Sequence, residues 1–260
     1  MIVWGINPVL EALRHGRVRR VRVGPRGDRR IDEALALARE IGVTIERVDA
    51  PTLDRTTRGG VHQGIVADLA QLHDYSVGDL VSAAGSESAL IVVLDRVEDP
   101  QNVGAILRTA DAAGAHGVVR QARHAAPIDG AAAKASAGAL ANARIATVVN
   151  IARALEELKA AGVWTVGLAA DAPERYDRID LTVPTAFVLG AEGTGLRRLV
   201  RERCDRLAAI PMRGSVSSLN VSVAAGVMLF EAVRQRNRVK GKADKGKGTK
   251  ERDTERSVNC

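Results

Sequence analysis

The sequence predicts an α/β protein: a parallel-sheet domain preceded by a smaller αβ module. Three observations predict it. Apolar runs of strand length alternate with helix-length stretches over the last two thirds of the chain, as in a parallel sheet crossed by helices. The first of these runs, "ALIVVLD", is apolar without interruption, as a strand buried on both faces requires. The chain has 260 residues, which is room for two domains or one large one.

The elements follow in order. Residues 1–72 form the first segment. In "NPVLEALRHG" Asn7 is placed to cap a short helix, with Pro8 at its first position and Gly16 ending it. "RRVRVG" alternates as a strand, "DRRIDEALALAREIG" is a helix stopped by Gly42, and "VTIERVD" and "GIVADLA" are strands. Residues 73–88, "HDYSVGDLVSAAGSES", read as a linker with a short helix at Val77–Ala83. The second domain spans residues 89–236. "ALIVVLD" leads into a helix from about Val103 to Ala113, then "GVVR" is a strand and the alanine-rich "GAAAKASAGALANA" a helix. "NIARALEELKAAG" is a capped amphipathic helix. The strands "VWTVGLAA", "TAFVLG" and "LAAIPM" follow, with "GLRRLVRERC" as a short helix before the last of them. Asn220 to about Gln235 is the final helix. Residues 237–260 are basic and lack apolar periodicity, so they are expected to be disordered.

Composition limits the possibilities. Hydrophobic residues make up 46% of the chain and charged residues 27%, a globular balance. Two Trp, two Tyr and two Phe mean that any stacking platform for bases would have few members. The net charge of +7 favours polyanionic partners. "RHGRVRRVRVGPRGDRR", Arg14 to Arg30, concentrates that charge; it reads either as a phosphate-binding patch or as a solvated surface. Cys204 and Cys260 have no metal-ligand spacing, and no metal is expected. No signal-like segment or twenty-residue apolar run is present, so a cytoplasmic protein without membrane contact is expected.

No G-x-G-x-x-G follows the first strand of the larger domain, and no P-loop or H-E-x-x-H occurs. Polar residues gather instead at the carboxyl ends of three expected strands, where ligands bind in open α/β sheets. After "IVVLD" come Asn102, a candidate helix cap, and Arg108 on an otherwise apolar helix; Gly104 between them permits close backbone approach. After "TAFVLG", Gly190, Gly193 and Gly195 surround Glu192. Beyond Ile210, "GSVSSLN" places Ser218 near the start of the last helix and Asn220 in its first turn. Singly, these sets read equally as a cap, a surface arginine, a glycine turn and a serine-rich turn. Their convergence at strand ends of one domain favours a site.

"LDRVEDPQNVGAILRTADAAG", "LGAEGTGL" and "IPMRGSVSSLNVSVAAG" resemble the three motifs of the SpoU/TrmH family of RNA ribose 2'-O-methyltransferases, of the SPOUT class. The resemblance covers residues 89 to about 235. "VWGINPVLEALRHG" and "GGVHQGIVA" resemble the small ribosomal-protein-like RNA-binding domain of the bacterial 23S rRNA guanosine branch. This resemblance implies a deep trefoil knot, S-adenosylmethionine held by the backbone at Gly190, Ile210 and Leu219, and a homodimer joined through the last helix. It implies large-subunit rRNA as partner, with a guanosine of the peptidyl-transferase loop methylated. It puts Arg108 at the ribose 2'-hydroxyl, with Asn102, Glu192 and Asn220 holding it and the cofactor loop, and Ser218 steadying them. Ala141 and Asn142 stand where that branch often carries a glutamate, which implies a different RNA contact there. Two other readings remain at this point: a tRNA ribose methyltransferase, and a noncatalytic rRNA-binding or assembly protein.

Overall fold

A computed structural model describes residues 2–25, 27–69, 75–128 and 130–256, with side chains undescribed at 130, 133, 141 and 240–256. Arg26 of the arginine-rich stretch, residues 70–74 at the end of the first segment and start of the expected linker, and residues 257–260 lie outside the described residues, as does the side chain of Ala141.

The first segment is a four-stranded mixed sheet of β1 (Ile2–Trp4), β2 (Val18–Val23), β3 (Thr44–Arg47) and β4 (Ile65–Leu69), in the order β1-β4-β2-β3. Only β2 and β3 run parallel; β4 is antiparallel to both its neighbours. Helices α1 (Ile6–Arg14), α2 (Arg29–Glu40) and α3 (Ala50–Thr57) complete it. Asp28 caps α2 by accepting from the Arg30 backbone. Strand β1 and helix α3 are additions to the sequence reading. Three residues are too few for a periodic signal, and α3 carries only Leu53 and Thr57 as buried anchors. Asn7 is not the cap of α1. That helix opens two residues earlier, after Gly5 at φ 89°, and its first N–H donates to Gln63 Oε1 at 3.0 Å. Gln63 satisfies the orphan donor from another loop, and the Asn7 side-chain oxygen accepts from Arg30 instead.

The segment expected to be a linker is part of a core. Helix α4 (Val77–Ser82) has a reciprocal Ser76–Asp79 capping box, and Val77 and Leu80 pack among residues of the larger sheet. Leu80 lies so close to Gly117 that a Cβ there would stand 2.5 Å from its Cδ2.

The larger sheet holds β5 (Leu90–Asp95), β6 (Gly117–Gln121), β7 (Ile145–Val148), β8 (Trp164–Leu168), β9 (Glu174–Arg175), β10 (Thr185–Gly190) and β11 (Arg206–Ala209). Their order is β7-β6-β5-β10-β8-β11-β9, and every pairing is parallel. All six residues of β5 are buried, as its uninterrupted apolar run requires. Helices α5 (Pro100–Ala112), α6 (Gly130–Ala135), α7 (Ile151–Ala160), α8 (Arg198–Arg203) and α9 (Val221–Arg256) cover the sheet. The alanine-rich stretch is split: after α6 the chain turns through Ala137 (φ 49°) and Gly138 (φ 99°) into a single 3-10 turn, Ala139–Ala141. At Gly138 a Cβ would strike the Glu11 side chain at 2.6 Å, so the two modules touch there.

Helix α9 continues to Arg256, through residues expected to be disordered. Ala, Lys, Arg and Glu in that stretch all favour helix, although the stretch lacks an apolar stripe. Arg236 fastens the helix. Its guanidinium donates to four carbonyls, of Leu181, Ser88, Ala89 and Val183, at the amino ends of β5 and β10. Burial pulls its pKa below the ordinary value.

Candidate active site

Three loops converge at the carboxyl end of the sheet: those after β8, β10 and β11. They line a cavity of about 370 Å³. Gly190, Ile210 and Leu219, the expected cofactor contacts, all line it, as do Glu192 and Ser218. Its wall depends on Gly190. Ala191 and Gly195 close a tight loop through a Gly195 N–H to Ala191 carbonyl bond of 2.9 Å, with Gly193 and Gly195 at φ 78° and 68°. The loop folds back so far that a Cβ on Gly190 would lie 2.2 Å from the Gly195 carbonyl carbon. Only a glycine fits there. A mixture of backbone donors, carbonyls and Leu, Ile and Met side chains around this hollow suits a nucleoside with an aliphatic tail.

The polar constellation sits beside the cavity. Asn102 is 6% exposed. Its amide donates to Glu192 Oε1 at 2.9 Å, and Asn220 donates to the same oxygen at 2.7 Å and to Asn102 Oδ1 at 2.9 Å. One carboxylate and two amides from three distant segments thus form a closed triangle. Asn102 is not the cap of α5; Asp99 is, accepting from the Gln101 backbone at 2.9 Å, with Pro100 in the first position. The Asp-Pro pair carries this signal, because proline prefers the first helical position. Asn220 precedes α9 rather than lying in its first turn, and its Oδ1 accepts from the Ser222 N–H at 2.9 Å and the Ser222 hydroxyl at 2.6 Å. Ser222 therefore orients Asn220, the part the sequence reading gave to Ser218. The exposed Ser218 lines the cavity instead.

Arg108 does not join the triangle. Six residues beyond Asn102, it is about 9 Å farther along α5 and about 120° round its axis, so the two side chains leave different faces. It is exposed, and no ion pair or hydrogen bond holds it among the described residues. Gly104 is where α6 meets α5: a Cβ there would lie 2.4 Å from Ala135 Cβ.

Two ion pairs escaped the sequence reading. Asp95, fully buried at the end of β5, accepts from Arg197 through the backbone at 3.0 Å and Nε at 2.7 Å. Gln121, ending β6, accepts from the same guanidinium at 2.9 Å. Together they fix the start of α8 over the strand ends. At the cavity rim, Arg201 makes a two-bond fork with Asp171 at 2.9 and 3.0 Å, and this bonding holds the Asp171 carboxyl below its usual range. Cys204 is internal, and burial pushes its thiol up to about 12. No cluster able to hold a metal occurs among the described residues, and none of their helices is long and apolar enough to cross a membrane.

The chain is similar to known proteins in sequence and in fold. Residues 89–230 match the SpoU rRNA methylase family and residues 2–75 the RNA 2'-O ribose methyltransferase substrate-binding family. The chain is 44% identical over 240 residues to the 23S rRNA (guanosine-2'-O-)-methyltransferase RlmB of Photorhabdus laumondii, covering 91% of this chain and 98% of that one. It superposes on the SpoU methyltransferase AviRb of Streptomyces viridochromogenes, solved in complex with AdoMet, with a TM-score of 0.76 and 32% identity. That match covers 92% of this chain and 91% of AviRb. A TrmH/SpoU tRNA modifying enzyme of A. aeolicus, 33% identical, covers only 62% of this chain at a TM-score of 0.54, while this chain covers 83% of it.

Proposed function

The chain belongs to the SpoU rRNA methylase family, and on that premise we propose that it transfers a methyl group from S-adenosylmethionine to the ribose 2'-hydroxyl of a guanosine in 23S rRNA. The observation that carries this reading is the cavity walled by Gly190, Ile210 and Leu219 with the Asn102–Glu192–Asn220 triangle on its edge. The residues fit the cofactor: Gly190 leaves space that any side chain would fill, and the loop backbone supplies donors and acceptors. When bound, S-adenosylmethionine supplies a methyl activated by its sulfonium.

The chain's own residues then have three tasks. The cavity fixes the direction from which the methyl is presented. The triangle holds the loops after β10 and β11 in one geometry: Glu192 accepts from both asparagines, and Asn220 is itself pinned by Ser222. Arg108, an exposed guanidinium on α5 with no ion-pair partner among the described residues, positions the ribose and stabilises charge as the hydroxyl passes its proton to solvent water; the guanidinium itself stays protonated throughout.

The finer reading is a division of labour, with residues 1–72 binding rRNA and residues 89–236 carrying out transfer. The peptidyl-transferase loop is its substrate region, and the cytoplasm its place. The chain between β11 and α9 is read as threaded into a trefoil knot. The protein acts as a homodimer, supported by Val223 and Phe230 of α9, which are 52% and 50% exposed one heptad apart. The substrate-binding module favours rRNA over tRNA. Nucleotide-resolved mapping of ribose methylation in 23S rRNA, with and without this protein, tests the reading. One lost guanosine methyl in the peptidyl-transferase loop is expected; a lost tRNA methyl instead, or none, overturns it.

A further inference from the structure

A second cavity, of about 300 Å³, opens where the two modules meet. Arg17, just before β2, lines it from the small module; Asp111, His116, Asn142 and Arg144 line it from the large one. His116 and Arg144 immediately precede β6 and β7, so this cleft lies at the amino ends of the parallel strands. The cofactor cavity lies at their carboxyl ends, a five-residue strand or about 17 Å away.

The arginine-rich stretch looks uniform in sequence but is not uniform in the fold. Arg20 and Arg22 share Asp68, and Arg14 pairs with Glu11 and Glu33. Arg30 is taken by Asn7. Arg17 has no such partner among the described residues, nor has Arg144 across the cleft; neither pairs with Asp111 although all three line it. The two unpaired guanidiniums come from different modules and face one hollow. Asn142 adds an amide. The Nδ1 of His116 accepts from the Leu90 N–H at 3.0 Å, so its Nε2 carries the hydrogen of the neutral ring.

We propose that this cleft binds backbone phosphate of the rRNA strand flanking the methylated nucleotide, with Arg17 and Arg144 as its paired cationic contacts. The inference rests on the methyltransferase reading for its RNA. Guanidinium forks match phosphate oxygens, and one ligand held by both modules fixes the small module against the large one. Because the cleft stands at the far end of the sheet from the reacting ribose, it governs capture of RNA and leaves the chemical step alone.

The test uses the full chain and a 23S rRNA fragment carrying the peptidyl-transferase loop, with binding followed by fluorescence anisotropy and transfer by labelled methyl. For R17Q/R144Q, KM for RNA should rise roughly tenfold or more with kcat unchanged, because two charge-assisted contacts to phosphate are lost together. The slope of log affinity against log salt should fall by about 0.7 to 0.9, the share of the one phosphate the pair holds. Asp111→Asn should move KM the opposite way, about twofold down, which a purely structural role does not predict. Arg153→Gln, on the exposed face of α7, is the charge control and should change nothing. Wild-type KM and slope in the double variant overturn the proposal. So does inorganic phosphate that stabilises the wild type but not the double variant while both bind RNA equally, since the cleft would then hold a free anion. Absence of methyl transfer by the wild type would instead count against the reaction, and the anisotropy arm would still decide the cleft.

Discussion

Asn102 and Asn220 stand 118 positions apart in the chain, yet their amides meet at 2.9 Å and both donate to one oxygen of Glu192. Asn220→Asp separates two tasks of that residue. An aspartate still accepts from the Ser222 N–H, so the start of α9 stays capped. It also sets a second carboxylate against Glu192, where like charges repel. We expect kcat/KM to fall about tenfold to hundredfold near neutral pH. Activity should recover partly as acid protonates one member of the pair. A pH–rate profile parallel to that of the wild type would remove the triangle from the mechanism.

Gly190→Ala tests the cofactor wall. The new Cβ would meet the Gly195 backbone at 2.2 Å, and backbone cannot swing aside as a side-chain tip can. Overpacking of this kind costs about 1–3 kcal/mol. Calorimetric titration should show S-adenosylmethionine binding lost or weakened at least roughly tenfold, with a lowered Tm. Unaltered affinity would mean that the hollow serves another ligand.

Arg108→Ala should spare the cofactor and stop the reaction. The residue is exposed and lies outside the cavity wall. Loss of a charge-stabilising donor typically costs about 10²–10³ in kcat. Equilibrium dialysis should find S-adenosylmethionine affinity within about twofold of wild type, in line with no lost contact. A parallel loss of binding would assign Arg108 to the cofactor.

His116 makes stability depend on pH. Burial holds its pKa below the ordinary value, Glu87 opposes that shift, and Arg236 and Arg144 reinforce it. A lowered folded pKa means that the unfolded chain binds the proton more readily. The contribution is therefore complete above about pH 6.5 and declines as pH falls below it toward the folded value. Urea titrations should show this decline in the wild type and a shallower one in His116→Asn, whose Oδ1 can still accept from Leu90. Identical slopes would assign the pH dependence to other groups.

The strands and most helices were legible because their signals are local. "ALIVVLD" announces a strand buried on both faces, and Asn150 announces the start of α7. The grouping of the candidate site residues was legible only in part. Glu192 and the two asparagines meet, but Arg108 leaves α5 on another face, which six-residue spacing on a helix could have told. Ser222 was hidden behind the more conspicuous Ser218. Asn7 failed as a cap because a glutamine 57 residues away reaches the first N–H of α1. Asp95 and Arg197 are separated by 102 residues, and no local pattern marks an aspartate that ends an apolar strand as half of a buried ion pair. Non-local hydrogen bonds of this kind exist only once the sheet has assembled.

The four-carbonyl grip of Arg236 has a consequence for biosynthesis. Its acceptors include Ser88, 148 residues earlier, so this end of the large sheet is closed by a part of the chain made much later. Contacts that distant in sequence form slowly. While residue 236 is still inside the ribosome, the amino ends of β5 and β10 lack their fastener. A nascent chain therefore cannot lock this end of the sheet until residue 236 has emerged, so β5 and β10 wait for a residue made long after them.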